Sequence, residues 1–199
     1  MSISRQKTIK ELFQDKKADF LIPDYQRPYA WGEAECQTLW DDIFSFAIPD
    51  EGRIEFDSNS EYFLGPIVTF RNLNSKLEVI DGQQRLISLS IIISVLRDLE
   101  DDPELVENLN DLIVEPGDKL RGIKAEPRLK LRERDTNFFR MYVQEGDLEG
   151  LFDLRDNDIE SHAQRNIAIN TRQVFDELAK MPTQDRRAFA SYLVNEVTL

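Results

Sequence analysis

The stretch "LEVIDGQQRLISLSIII", residues Leu77 to Ile93, joins the pattern of a β-strand to that of a helix and decides the kind of fold that the chain can adopt. Leu77, Val79 and Ile80, two of them β-branched, predict a short strand. Apolar residues recur at helical spacing from Leu86 onward, and Gly82 marks the turn between the two patterns. The stretch therefore predicts a strand that leads directly into a helix.

The start of this helix contains a residue that needs explanation. Asp81 is a favourable N-cap, and Gln84 three residues later completes a variant of the capping box. Arg85 lies in the first turn, where a cation opposes the helix dipole at a cost of about 0.3–1 kcal/mol. Two explanations are open: an anion binds between the free N–H groups and the guanidinium, or the turn is merely capped and Arg85 extends to solvent.

The composition limits the classes of protein to which the chain can belong. Its 199 residues are 41% hydrophobic, which suits one substantial core. No apolar run approaches the ~20 residues of a membrane span, and the N-terminal residues lack the apolar segment of a secretory signal, so we expect a cytoplasmic protein without a membrane partner. The single Cys36 excludes an internal disulfide and a multi-cysteine metal site, and the single His162 excludes a zincin motif and an HNH-type nuclease site.

Charge is unevenly distributed along the chain. The formal net charge of −13 argues against indiscriminate binding of nucleic acid, because Lys and Arg supply that affinity. Asp98 to Asp118 contain no Lys or Arg, whereas Lys119 to Arg134 are rich in both. The alternation in Arg128 to Arg134 predicts a strand with four cations on one face. That face is either a solvated, edge-protecting surface or a ladder that contacts phosphates.

The remaining patterns predict strands before residue 81 and mostly helices after it, which indicates an α+β fold. Pro66 predicts a bulge or an edge position in the first strand of a hairpin. The predicted strands are "DFLIP", Tyr62 to Phe70 and Lys76 to Ile80, and the predicted helices are Thr8 to Phe13, Glu33 to Phe46, Gln83 to Leu99, Pro103 to Ile113, Thr136 to Gln144, Ile159 to Lys180 and Thr183 to Asn195.

Two further polar clusters lie at the ends of predicted elements: "IPDYQRPYAW", Ile22 to Trp31, and "YFLGPI", Tyr62 to Ile67. Pro28 disfavours helical geometry for Arg27, so this arginine projects from an extended loop. The aromatic residues around it either pack in the core or stack on a base. Gly65 permits the close approach of another backbone or of a ligand. No P-loop or Rossmann motif occurs, so two arginines and a helix N-terminus form the candidate triphosphate cradle.

Taken together, "IPDYQRPYAW", "YFLGPIV" and "VIDGQQRLISL" resemble the N-terminal domain family of GmrSD-type, modification-dependent restriction systems, whose hallmark is the DGQQR motif. The resemblance covers Leu21 to Ile93 well, with looser matches at "DTNFF" and "RNIAIN". It implies a ParB/sulfiredoxin-like fold: a small mixed sheet with helices in residues 1–100, followed by a helical extension in residues 101–199. It also implies that the natural chain continues into a C-terminal HNH-type nuclease region.

The same resemblance implies a site that binds a nucleoside triphosphate together with Mg²⁺. Arg85 and Arg27 would clamp phosphate oxygens, and Gln83 or Gln84 would orient a water or a γ-phosphate oxygen. Asp81 would either hold Mg²⁺ or accept a proton from the water. The residues matched to catalysis are Asp81, Gln83, Gln84 and Arg85, and those matched to nucleotide binding are Tyr25, Gln26, Arg27, Gly65, Gly82 and Arg85.

The resulting expectation is a regulatory NTPase domain of an anti-phage restriction protein, in which nucleotide turnover controls a nuclease elsewhere in the full-length protein. DNA, modified or unmodified, would be bound through that full-length protein. Two alternatives are open: a nucleotide-dependent sensor of modified DNA or of a partner that does not hydrolyse nucleotide, and a ParB-like nuclease. The acidic net charge makes the nuclease the least attractive of the three.

Overall fold

Helix α3, Gln83–Asp98, forms the centre of the structure. The computed structural model describes residues 6–14, 19–47 and 61–199, which form an α+β fold. Nearly every residue of α3 is buried, and an apolar helix that is covered on all sides is typical of a core helix. It packs against α4 (Pro103–Ile113), α7 (His162–Lys180) and α8 (Thr183–Asn195).

A small mixed sheet leads into this helix. Its strands lie in the order β3 (Val68–Arg71), β4 (Leu77–Asp81), β1 (Phe20–Leu21) and β7 (Leu129–Lys130). Strands β3 and β4 pair antiparallel, which confirms the predicted hairpin, whereas β1 is parallel to both of its neighbours. Since β4 ends at Asp81 and α3 begins at Gln83, the sheet fixes the position of the start of the helix.

The other described elements surround this unit. Strands β2 (Tyr62–Phe63) and β8 (Val197–Thr198) pair in parallel, and α1 (Ile9–Phe13) begins with a capping box between Thr8 and Glu11. These elements are α1 (Ile9–Phe13), α2 (Glu33–Ala47), β2 (Tyr62–Phe63), β5 (Val114–Glu115), β6 (Glu126–Pro127), α5 (Glu133–Phe139), a π-helical turn (Arg140–Gln144), α6 (Leu148–Asp153), a 3₁₀ turn (Asp156–Asp158) and β8 (Val197–Thr198).

Residues from the second half of the chain complete the sheets of the first half. Strand β7 is the edge strand of the four-stranded sheet, and β8 is the partner of β2. The two parts that the resemblance implied, residues 1–100 and 101–199, therefore share a sheet. The mixed α+β class is confirmed, while the division into two parts and the specific likeness to ParB remain predictions.

The predicted strand from Tyr62 to Phe70 is wrong, because the chain forms two separate strands there. Strand β2 ends at Phe63 and β3 begins at Val68. The intervening residues include Gly65, with φ of 116°, and Pro66, which cannot donate a ladder hydrogen bond. A backbone in this conformation cannot continue a strand, so the chain crosses from one sheet to the other.

The predicted four-cation strand from Arg128 to Arg134 is also wrong. Only Leu129–Lys130 is a strand, and α5 already begins at Glu133. Acidic or carbonyl partners bind three of the four cations, so they do not form one exposed basic face. The pairs are Arg128 with Glu115 at 2.5 Å, Lys130 with Glu126 at 2.6 Å, and Arg134 with the carbonyl of Glu160 at 2.5 Å.

Candidate functional site

The N-terminus of α3 has no side-chain cap, which corrects the predicted capping box. Gly82 occupies the N-cap position with φ of 90°, and no side chain among the described residues accepts a hydrogen bond from the first turn. Asp81 is the last residue of β4, with an exposed side chain, and therefore lies one residue too early to cap. The N–H groups that begin a helix have no intrahelical acceptors, so this end favours an anion.

Gln84 connects the start of α3 to the loop after β1 instead of completing a cap. Its Oε1 accepts hydrogen bonds from the backbone N–H groups of Ala30, at 2.8 Å, and Trp31, at 3.2 Å. Its Nε2 donates to the carbonyl of Pro28 at 3.2 Å. Both ends of this buried amide are bound within the protein, which holds the loop against the helix.

Gln83 and Gln26 connect the same two segments closer to the solvent. The Nε2 of Gln83 donates to the Oε1 of Gln26 at 3.3 Å, and the Nε2 of Gln26 donates to the carbonyl of Ile80, also at 3.3 Å. The structure therefore brings the "YQR" segment and the "DGQQR" segment together, although they lie more than fifty residues apart in the chain. Arg27, next to Gln26, is exposed and has no hydrogen bond or ion pair with any described residue.

Arg85 lies across Gly65, which explains the glycine. Its Nη1 donates to the carbonyl of Pro66 at 2.9 Å. A Cβ atom on Gly65 would lie 2.6 Å from that nitrogen, so any other residue here would push the guanidinium out of its present position. The sequence predicted a close approach at Gly65, and the approaching group is the side chain of Arg85. A guanidinium has five N–H donors, so one carbonyl leaves most of its binding capacity unused.

The aromatic residues of the first cluster have different surroundings. Tyr29 is buried, and its hydroxyl lies 2.7 Å from Oγ of Ser88, while burial raises the pKa of Tyr29 well above its usual value. Trp31 is half-buried and packs against the core. Tyr25 is exposed, and its hydroxyl donates to the carboxylate of Glu78 at 3.1 Å. Core packing therefore explains Tyr29 and contributes at Trp31, and it does not explain Tyr25.

Asn170 is a supporting residue whose role the sequence did not predict. It lies on α7 and is fully buried. Its Nδ2 donates to the hydroxyl of Tyr29 at 2.8 Å and to the carbonyl of Trp31 at 2.9 Å. The available signal was an amide on the apolar side of a helix, because such a group needs buried polar partners. Asn170 thus also holds the loop that carries Arg27.

The described residues place limits on metals and membranes. No group of three or more His, Cys, Asp or Glu side chains in this part of the chain could hold a metal ion. A Mg²⁺ ion at Asp81 would thus need phosphate oxygens and water as its other ligands, an arrangement that Mg²⁺ commonly adopts. No helix within residues 6–14, 19–47 and 61–199 has the length and apolar character needed to cross a membrane.

Comparison with known proteins supports the resemblance seen in the motifs. No curated protein matches the chain. A family model described as the N-terminal domain of GmrSD restriction endonuclease matches residues 9–197, which is nearly the whole chain and includes every residue of the candidate site. The chain therefore belongs to the GmrSD N-terminal domain family, which makes it a component of a restriction system.

Proposed function

We propose that the chain is the nucleotide-binding and nucleotide-hydrolysing regulatory domain of a modification-dependent, anti-phage DNA restriction protein. Its family membership supports the restriction context. In this proposal, nucleotide turnover controls a nuclease in a C-terminal region outside residues 1–199, and DNA is bound by the full-length protein. The net charge of −13 is expected for a regulatory domain and not for a domain that binds DNA by itself, because DNA binding depends on Lys and Arg.

The electrostatics at the start of α3 are the main support for this proposal. Arg85 lies beside an uncapped helix N-terminus, so the positive end of the helix dipole and the positively charged guanidinium are close together. That arrangement is unfavourable in the absence of an anion, and a phosphate reverses the sign because it accepts charge-assisted hydrogen bonds from both groups. Gly65 keeps the space that Arg85 needs for this geometry.

The other residues of the site have distinct proposed roles. Arg27, which no described residue engages, supplies a second guanidinium for phosphate oxygens. The amide of Gln84 is committed to the loop, so Gln83 is the better candidate to orient the attacking water. Asp81 is exposed at the same end and either accepts the water's proton or holds Mg²⁺. Mg²⁺, when bound, would neutralise charge on the β- and γ-phosphates.

The test of this proposal is nucleotide binding and turnover by residues 1–199. Each of the four nucleoside triphosphates is titrated by calorimetry with and without Mg²⁺, and phosphate release is followed under the same conditions. Arg85→Ala should weaken nucleotide binding tenfold or more, since a charge-assisted hydrogen bond contributes about 1.5–3 kcal/mol. Its stability without ligand should remain within a few tenths of a kcal/mol of wild type, because the unfavourable dipole interaction is lost together with the bond to Pro66.

The matched control is Arg121→Ala, which removes an exposed arginine from the segment between β5 and β6. It should change neither nucleotide affinity nor phosphate release. Nucleotide binding without phosphate release would assign the non-hydrolysing sensor instead. Unchanged affinity in Arg85→Ala, combined with lost stability, would make the arginine a structural brace and contradict the phosphate site.

A further inference from the structure

The outer face of the four-stranded sheet carries exposed apolar side chains. Alternate residues of a strand point to opposite faces, and Val79 of β4 is buried on the inner side. Its neighbour Ile80 has no cross-strand partner, because the register shifts between Val68 and Thr69, and it is 43% exposed; on the adjacent edge strand Phe70, which pairs with Glu78, is 60% exposed. Val68 of the same strand is also exposed. Within the described residues, no helix covers these side chains, so they lack the burial that stabilises apolar groups.

Tyr25 contacts this same face through Glu78. It is 70% exposed, yet its hydroxyl is bound to the carboxylate of Glu78, which belongs to β4. The other oxygen of Glu78 accepts a hydrogen bond from Nδ2 of Asn72 at 2.7 Å, so the carboxylate that orients Tyr25 is itself held. An exposed aromatic ring with a fixed hydroxyl loses little conformational entropy when it binds a ligand.

This aromatic surface is continuous with the candidate phosphate site. Tyr25 directly precedes Gln26, which bonds to the carbonyl of Ile80 and to Gln83 at the first position of α3. Ile80 and Gln83 are three residues apart, so a ligand at the helix N-terminus lies within about 10 Å of the outer face of β4. Tyr25, Ile80 and Phe70 are therefore in reach of the base of a nucleotide whose phosphates lie at α3.

We infer that the outer face of the sheet binds the nucleotide base, with Tyr25 and Phe70 as stacking residues and Ile80 as an apolar floor. The inference rests on the proposed function, since the phosphate site defines where the base lies. Every base has a π-face, so aromatic stacking favours nucleotides as a class without selecting one of the four. Glu78, which pairs with Phe70, places a carboxylate on this face, and it repels the phosphates of a DNA strand lying along the sheet, whereas a single nucleotide keeps its phosphates at the N-terminus of α3.

The experiment compares two ligands that share the phosphates and differ in the base. ATP or GTP and inorganic tripolyphosphate are titrated into residues 1–199 by calorimetry. Tyr25→Ala and Phe70→Ala should each weaken nucleotide binding about tenfold and leave tripolyphosphate affinity unchanged. Tyr25→Phe should retain most of the nucleotide affinity because it keeps the ring. Leu73→Ala, at the exposed tip of the β3–β4 hairpin, is the control and should change neither affinity.

The possible results separate the base surface from the phosphate site. Equal losses for both ligands in Tyr25→Ala, or no loss in either aromatic variant, would overturn the base surface. Wild-type protein that binds nucleotide but not tripolyphosphate, with binding lost in Tyr25→Ala, would support the base surface and contradict the phosphate cradle. Wild-type protein that binds neither ligand would overturn both.

Discussion

Two arginines on the same helix have opposite relations to the rest of the protein. Arg97, in the last turn of α3, is 6% exposed and donates to the carbonyls of Gln144 at 2.6 Å and Val143 at 3.2 Å. It also bonds to Asp98 and Asn110. Arg85, in the first turn, is partly exposed and donates to a single described acceptor, the carbonyl of Pro66. The protein satisfies one guanidinium nearly completely and leaves most of the other available.

The helix dipole explains why this difference matters. A cation near the C-terminus of a helix is stabilised by the dipole, and a cation near the N-terminus is destabilised by it. Arg97 therefore combines favourable electrostatics with a full set of acceptors, including carbonyls of the π-helical turn Arg140–Gln144. Arg85 combines unfavourable electrostatics with spare donors. The comparison assigns Arg97 to stability and Arg85 to a ligand, and each assignment can be tested.

The largest expected effect is on stability in Arg97→Ala. Removal of the guanidinium leaves two buried carbonyls and the partly buried Asp98 without their donor, which should lower the free energy of unfolding by about 3–5 kcal/mol. Urea denaturation measures this change, with Arg85→Ala as the control on the same helix. A loss below about 1 kcal/mol would show that the two arginines do not differ as the structure implies.

A smaller loss is expected in Glu100→Gln, just beyond the end of α3. The guanidinium of Arg187 and two backbone N–H groups bond to the Glu100 carboxylate and lower its pKa to about 2. The variant should lose about 1–2 kcal/mol at pH 7, a reduced value because the side chain of Arg187 is 42% exposed.

The pH dependence of this pair has a defined sign. Because the pKa of Glu100 is lower in the folded state, its contribution is fully present above the unfolded value of about 4.3 and disappears as the pH falls toward about 2. The stability difference between wild type and Glu100→Gln should therefore shrink over that range in urea denaturation. Glu107→Gln, on the exposed side of α4, is the control because it removes a carboxylate and leaves the pair of Glu100 and Arg187 in place. A difference independent of pH would assign the loss to packing.

Gly65→Ala should weaken both stability and nucleotide binding. The backbone has φ of 116°, so alanine there should cost about 1 kcal/mol, and its Cβ would displace the Arg85 guanidinium. Gly122→Ala is a close control, because Gly122 also has a positive φ and a Cβ there would meet nothing within 4 Å. Calorimetry should detect weaker nucleotide binding only in Gly65→Ala. Additive affinity losses in the Gly65→Ala/Arg85→Ala double variant would contradict the coupling between these residues.

The smallest effect on stability is expected in Asp81→Ala. Its side chain neither caps α3 nor bonds to any described residue, so the free energy of unfolding should stay within about 0.5 kcal/mol of wild type. Phosphate release should fall nonetheless, whether Asp81 acts as a base or as a metal ligand. A stability loss of about 1 kcal/mol in thermal or urea unfolding would show that Asp81 caps the helix in solution.

The sequence predicted elements best where the signals were local. The predicted bounds of α4 and α8 match the structure, and the strand before Gly82 leads into α3 as expected. Periodicity, glycine and proline act over a few residues, so no distant contact is needed to read them. The alternating cations from Arg128 to Arg134 led to a wrong prediction because their surroundings depend on distant contacts. The acceptors of Arg128 and Arg134 lie in other segments of the chain, and the strand ends after two residues.

The sequence by itself determined the α+β class, the strand-to-helix unit with Arg85 in its first turn, and the motifs that reveal the family. Only the tertiary structure decided which groups meet at that turn. In the structure, Gly82 and not Asp81 occupies the N-cap position, Gln84 bonds to the loop, and Arg85 lies across Gly65. The physical reason is that a helix start has only a few unsatisfied N–H groups, whereas their acceptors and neighbours come from strands and loops that folding alone brings together.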